Sequence, residues 1–290
     1  MRPAYRHPPH PPSRRGRARL TRRGRLTLFL TALTAVGALI LLLPDSGDPP
    51  SAPPEARRLV VPEGRRATEV YAAVDRALRL PAGSAAAEAA RLRPALPAEA
   101  KGNPEGFLFP ATYPLTDGTT AGGLLAHMVR TATERIAAPT VAGPGKAHGM
   151  TPYQIATMAS IVQAEADNKA DMGKVARVIH NRLARSMPLQ MDSTVNYALR
   201  RSTLDTSLRD TRVDHPFNTY RRQGLPPTPI DNPGAEALAA AVAPTPGNWL
   251  YFVTVAPGDT RFAADYAAHQ RNVELFNKNR AAAKAGPPRP

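Results

Sequence analysis

The chain has 290 residues, no cysteine, and 38 basic against 23 acidic side chains, a formal net charge of +15 at neutral pH. The length allows one sizeable domain or two small ones, and the lack of cysteine excludes disulfides, thiolate metal sites and a cysteine nucleophile. The charge looks like that of a nucleic-acid binder until it is located: residues 1–25 hold nine Arg and no acid.

Taken in order, the chain opens on a basic tail, residues 1–25, with five prolines among its first twelve residues. Such a composition predicts disorder. Leu26 to Leu43 then gives 18 residues without a charge. As a helix this stretch spans ~27 Å, close to the ~30 Å hydrocarbon core, and predicts a transmembrane helix. It exceeds the ~7–15 apolar residues of a signal peptide, and Pro44-Asp45-Ser46 lacks a small-residue cleavage pattern. The arginines precede it, which puts the N-terminus in the cytoplasm and the rest outside. The tail is thereby read as a topology and lipid-headgroup signal, with no nucleic-acid partner.

Residues 44–57 form a Pro-rich linker. Residues 58–279 are expected to fold as an extracytoplasmic domain, with an N-terminal part over 58–140 and a second part over 145–279. Residues 280–290 are read as a disordered tail. The predicted class is α+β, mostly helical with small β elements.

Within the domain, Leu59 to Val61 reads as a strand and Glu63-Gly64 as a turn. Val70, Tyr71, Val74, Ala77 and Leu78 mark an amphipathic helix. Ser84 to Arg93 predicts a helix with Ser84 as N-cap and Pro94 as stop. Glu105 to Tyr113 (EGFLFPATY) is an apolar, turn-bounded segment. Leu124, Leu125, Met128, Val129 and Ile136 give a further helix, and Pro139 to Gly149 a loop.

The stretch Thr151 to Leu199 organises the rest. Thr151, Pro152 and Gln154 are a helix start with a capping box. Ile155, Met158, Ala159, Ile161, Val162 and Ala166 follow at helical spacing as one apolar stripe, and Glu165 sits on it. Gln163 and Asp167 fall on the opposite, polar side. A turn at Asn168 to Asp171 and a helix through Val175, Val178, Ile179 and Leu183 complete an αα-hairpin, with Glu165 near its corner. Asp192 reads as the N-cap of a third helix through Leu199. Two readings of Glu165 stay open: a stripe-edge residue reaching solvent or paired with Arg177 or Arg182, and a carboxyl in a partly apolar cleft. Desolvation in such a cleft raises a carboxyl pKa, as a general acid requires.

From Asp214 to Gly234 the chain carries five prolines and two glycines among polar residues, a loop of the kind that often bears function. Ala235 to Ala243 predicts a helix, Trp249 to Val255 a strand, and Ala267 to Asn279 a terminal helix. No phosphate-binding loop, nucleophile elbow or zinc-protease helix motif is present. The histidines lack ligand spacing, and His180 reads as a surface or packing residue.

ASIVQAE, VIHNRL, MPLQMDSTVNYAL, FNTY, GLPPTPIDNPG, LYFV and the late His269 resemble, in order and spacing, the blocks of the endolytic murein transglycosylases, the YceG-like family. EGFLFPATY resembles the segment ahead of that family's catalytic helix, and LVVPEG its earlier turn. The resemblance covers residues 58 to 279 and places the catalytic Glu on Glu165. Gln163 stands at the first acidic position of the family's block. Ser193 replaces a Pro, Phe217 a Tyr and Thr260 a His, and little chain remains for a LysM-like portion.

The resemblance implies a membrane-anchored lytic transglycosylase that cleaves the MurNAc–GlcNAc bond of nascent peptidoglycan to 1,6-anhydro ends, without a cofactor or metal. Glu165 would act as acid, then base, because the attacking C6 hydroxyl is tethered to the same sugar. Gln190, Asn218 and Tyr220 are the expected hydrogen-bonding contacts to the sugar, and Asp192 remains a cap. Glycan strands and cell-wall synthases are the implied partners. A water-using hydrolase and a non-catalytic glycan-binding or scaffold protein are the alternatives.

Overall fold

The computed structural model describes residues 57–201 and 206–285. The basic tail, the expected membrane helix and nearly all of the Pro-rich linker lie outside the described residues. Among the described residues, no helix is long and apolar enough to cross a membrane. The architecture is mostly helical α+β with two small antiparallel sheets.

β1 (Arg58–Val60) pairs antiparallel with β2 (Thr112–Pro114), Leu59 opposite Tyr113. Both of those side chains turn into the core while their neighbours face outward, the two-residue alternation of a half-buried strand. β2 lies in EGFLFPATY and is too short to announce itself by periodicity. α1 (Ala67–Leu78) starts on two carboxylates that take its free N–H groups: Arg66 N donates to Glu69 Oε2 at 2.9 Å, Ala67 N to Glu105 Oε1 at 2.8 Å. α2 is shorter than expected, Ser84–Ala89, and tightens into a 3₁₀ turn over Ala90–Ala95. Pro94 has no N–H to bond back, so the α pattern cannot continue. Gly83, with φ 92°, is the N-cap rather than Ser84. The capping acceptor is Asp75, whose two oxygens take Gly83 N and Ala85 N at 2.8 Å each.

α3 (Ala121–Ala137) begins on Thr120, whose hydroxyl accepts from Gly123 N. The stretch expected as a loop is α4 (Pro139–Ala147). Pro139 sits in its first turn, where a missing N–H costs nothing. Gly145 lets it lie against the next helix, since a Cβ there would stand 2.4 Å from Ile155 Cδ1.

α5 (Pro152–Glu165) is the centre of the domain, with the expected capping box: Gln154 N donates to Thr151 Oγ1 and Thr151 N to Gln154 Oε1. Every residue from Ile155 to Val162 is buried, so the stripe read from the sequence widens to the whole circumference. α3, α4, α6 (Lys169–Ala184), α7 (Asp192–Ala198) and α8 (Ala235–Val242) surround it. Burying side chains such as Ile155, Met158 and Ile161 contributes ~1.5–3 kcal/mol each. The polar atoms in this wall are satisfied: Thr157 Oγ1 donates to Tyr153 O, while Ser160 Oγ donates to Thr157 O and accepts from Ile230 N. Gln163 does not simply face solvent; its Oε1 takes Gly234 N at the start of α8.

α6 begins on Asn168, whose side chain accepts from Asp171 N, so α5 and α6 make the expected hairpin with Glu165 at its corner. Beyond the long loop, β3 (Tyr251–Ala256) and β4 (Asp259–Ala263) form a hairpin turning at Gly258, where φ is +76°. β4 was not expected. α9 (Tyr266–Ala285) packs on β3 and runs into the stretch read as a disordered tail, carried by the helix-forming run after Arg280.

Asn232 ties the N-terminal part to the loop before α8. Its Nδ2 and N both donate to Arg65 O, its Oδ1 accepts from Leu108 N, and its own carbonyl accepts from Gly64 N. Gly106, at φ +84°, lies so close to Pro229 that a Cβ would meet the ring at 2.4 Å. Phe107 beside it stacks on Tyr153 of α5, ring centroids 6.0 Å apart.

Candidate active site

Glu165 is the last residue of α5, where the helix carbonyls present their negative end. Its Oε1 accepts from Ser193 Oγ at 2.6 Å and Ser193 N at 3.3 Å. Ser193 N is one of the unbonded first-turn donors of α7, so Glu165 caps that helix from across the fold. The expected cap, Asp192, does not do this; it occupies the first helical position and its side chain turns away to Tyr220. Among the described residues, no arginine pairs with Glu165. Arg177 donates to Thr245 O and Pro244 O, and Arg182 to Leu250 O, Pro188 O, Leu189 O and Gln190 Oε1. The ion-pair reading is thereby removed.

Burial pushes the Glu165 pKa above the usual carboxylate range, and the charge of Asp192 adds to the rise. The two bonds from Ser193 oppose it by favouring the anion. Both of those donors use Oε1, and Oε2 is engaged by no hydrogen bond among the described residues. The result is a carboxyl fixed by one oxygen and free at the other, suited to giving and retaking a proton.

The other expected site residues divide. Tyr220 donates to Asp192 Oδ1 at 2.6 Å, and burial with the charges of Asp192 and Glu165 holds its phenol protonated. Burial also raises the Asp192 pKa. Gln190 lies on the same rim in the left-handed conformation, φ +55°, which costs a non-Gly residue roughly 1–2 kcal/mol. Gln190 N bonds Thr219 O, and its Oε1 is held by Arg182, which leaves the Nε2 donors for a ligand.

Asn218 does not face the site. It is 1% exposed, its Nδ2 donates to Thr211 O and Val213 O, and its Oδ1 accepts from Tyr220 N. With both donors spent inside the loop, Asn218 shapes the segment that presents Tyr220. His180 is a packing residue as expected, bonded through Nε2 to Ala241 O and tilted against His148. Ser193 is not legible as a site residue from the sequence, where it stands out only by replacing a Pro. The one hint was its place directly after Asp192.

Among the described residues, no group of three His, Asp or Glu side chains is arranged to hold a metal ion. A cavity of about 560 Å³ at the opposite end of α5, lined by residues such as Met150, Tyr153, Leu225 and Pro226, includes neither Glu165 nor Ser193.

With this geometry in hand, comparison with known proteins is informative. The sequence model of the YceG-like family matches residues 34–275. The chain is 35% identical over 173 residues to an endolytic murein transglycosylase of Bacillus subtilis strain 168, covering 59% of this chain and 48% of that one. It is also 35% identical over 175 residues to an endolytic murein transglycosylase of Streptococcus pneumoniae D39, covering 58% of this chain and 31% of that one. The chain thus matches about half the length of the first of these relatives and a third of the second. A crystal structure of a yceG-like protein from Listeria monocytogenes superposes with a TM-score of 0.66 at 30% identity, over 74% of this chain and 75% of that one.

Proposed function

We propose, from the premise that the chain belongs to the YceG-like family, that it is an endolytic murein transglycosylase in which Glu165 is both acid and base. The observation that carries this reading is the Glu165 carboxyl itself. It sits at the end of a buried helix, is held through Oε1 by Ser193, and has its pKa raised by burial.

The reaction asks little else of the protein. Glu165, protonated at the start, gives its proton to the oxygen leaving C1 of the MurNAc residue, and the C1–O bond to GlcNAc breaks. The C6 hydroxyl of the same MurNAc closes on C1, and Glu165, now a carboxylate, takes the hydroxyl proton. One C–O bond breaks, one forms, and Glu165 returns to its starting state with a 1,6-anhydro end as product. Because the nucleophile is tethered, its effective concentration is high and no second carboxylate is needed to activate water. Tyr220 and the Nε2 donors of Gln190 supply hydrogen bonds to sugar hydroxyls or N-acetyl groups.

Anchoring by residues 26–43, with the domain outside the membrane and close to nascent glycan and its synthases, completes the proposal. Single cysteines placed at Ser13 and Ser51 and labelled in intact cells with an impermeant maleimide test the orientation. Labelling at Ser51 alone is expected, and labelling at Ser13 alone overturns it.

Glu165→Gln tests the chemistry. The variant keeps the acceptor that Ser193 needs but has no proton to transfer. It is expected to fold, to bind glycan, and to lose at least ~10²-fold in the rate of anhydro-end formation, followed by mass spectrometry. Reducing ends from the wild type indicate a hydrolase instead, and cleavage by the variant at the wild-type rate removes Glu165 from the mechanism.

A further inference from the structure

We propose that Tyr251, Tyr266 and His269 form a saccharide subsite, which seats a sugar ring of the glycan strand away from the bond that Glu165 attacks. The inference rests on the glycan reading above and adds where the strand is gripped beyond the reacting bond.

The three rings come from β3 and α9. Tyr251 and His269 stack with centroids 5.1 Å apart and an interplanar angle of 19°, and Tyr266 meets Tyr251 at 5.8 Å and 58°. Tyr266 is 59% exposed, and among the described residues no other Phe, Tyr or Trp is exposed. An exposed ring backed by two others presents a firm apolar face with a hydroxyl at its edge. Sugar rings offer the complement, a face of C–H groups and a polar rim.

The cluster is continuous with the site. The Arg182 guanidinium lies over the Tyr251 ring at 5.1 Å and, through Nη1, holds Gln190 Oε1 at 3.0 Å. Gln190 is three residues before Ser193, which touches Glu165, and three residues span at most about 11 Å. The rings and the carboxyl thus lie along one stretch that a strand several sugars long can follow.

The polar groups at the cluster suit an uncharged sugar ring. Arg182 is tied into the fold through Nε and Nη1, which donate to three backbone carbonyls and Gln190. Burial and the charge of Arg182 lower the His269 pKa, and among the described residues its buried Nδ1 has no partner, so this ring favours its neutral form.

The full-length chain carrying Glu165→Gln, in mild detergent, is titrated calorimetrically with purified glycan strands freed of peptide. The same measurement is made after adding Tyr266→Ala, Tyr266→Leu or Tyr266→Phe. Loss of the ring in Ala and Leu is expected to weaken strand binding about three- to tenfold, with Phe retaining most of it. A disaccharide too short to reach the cluster is expected to bind all four proteins alike. If the parent binds strands and the Ala and Leu variants bind them equally well, the subsite is wrong and the glycan reading stands. If the parent binds no glycan, both fall. A loss that Phe shares with Ala and Leu also overturns the stacking subsite, because it follows the hydroxyl and not the ring.

Discussion

At the scale of single residues, Glu165 is set by two opposing effects, burial that favours the acid and Ser193 that favours the anion. Removing the Ser193 hydroxyl leaves burial less opposed, so the Glu165 pKa in Ser193→Ala rises further. The group that must be protonated then stays so to higher pH. The alkaline limb of the pH–rate profile is expected to move upward, with the maximum rate falling roughly tenfold as the carboxyl loses its fixed orientation. An unmoved limb would show that the 2.6 Å bond tunes nothing. Asn218 shows where residue-type reasoning misleads, since a polar residue in a Pro-flanked loop looks like a ligand contact. Its amide instead holds two half-buried carbonyls, and leaving these unpaired costs ~1 kcal/mol or more. Asn218→Ala is therefore expected to lower the melting temperature by several degrees, whereas a pure substrate contact would leave it unchanged.

At the scale of elements, the sequence was most legible where the signal is local. The capping box at Thr151 and Gln154, the hairpin of α5 and α6, and the corner position of Glu165 all follow from residues within a few turns of one another. It was least legible where a distant partner decides. The caps of α1 and α7 are Glu105 and Glu165, far away in the chain, so Asp192 was misread as a cap. β2 exists only through its pairing with β1. The sequence of α4 reads as a loop because Pro139, Gly143, Pro144 and Gly145 all count against a helix in isolation. In the fold it packs closely on α5, with Gly145 against Ile155. Gly145→Ala is expected to destabilise by ~1–3 kcal/mol through overpacking. Ile155→Val removes the methyl that the new Cβ meets, so chemical denaturation of the double variant should show less than additive loss. Strict additivity would mean that the two helices adjust without strain.

At the scale of the whole molecule, a second pair of acids, Glu105 and Asp231, lies buried away from the site, each 4% exposed. Burial raises Glu105 to about 7, and burial with the charge of Glu105 pushes Asp231 well above the usual range, while among the described residues the Asp231 Oδ1 has no hydrogen-bond partner. Folded-state values above those of the unfolded chain mean that the native protein holds these protons longer. The contribution of this pair to stability is thus fully present at acid pH and is lost as pH rises from ~4.5 through 7. Asp231→Asn is expected to raise the neutral-pH melting temperature and flatten this slope, read by calorimetry between pH 5 and 8; a steeper slope would refute the assignment. The knot at Asn232 beside this pair also dictates a timetable. Synthesis runs from the N-terminus, so the bonds that Asn232 makes to Arg65 and Leu108 cannot form until Asn232 itself has been made. Glu165 is made before the residues that clamp the domain around it. A chain interrupted before Asn232 therefore carries Glu165 without the residues that close the domain around it.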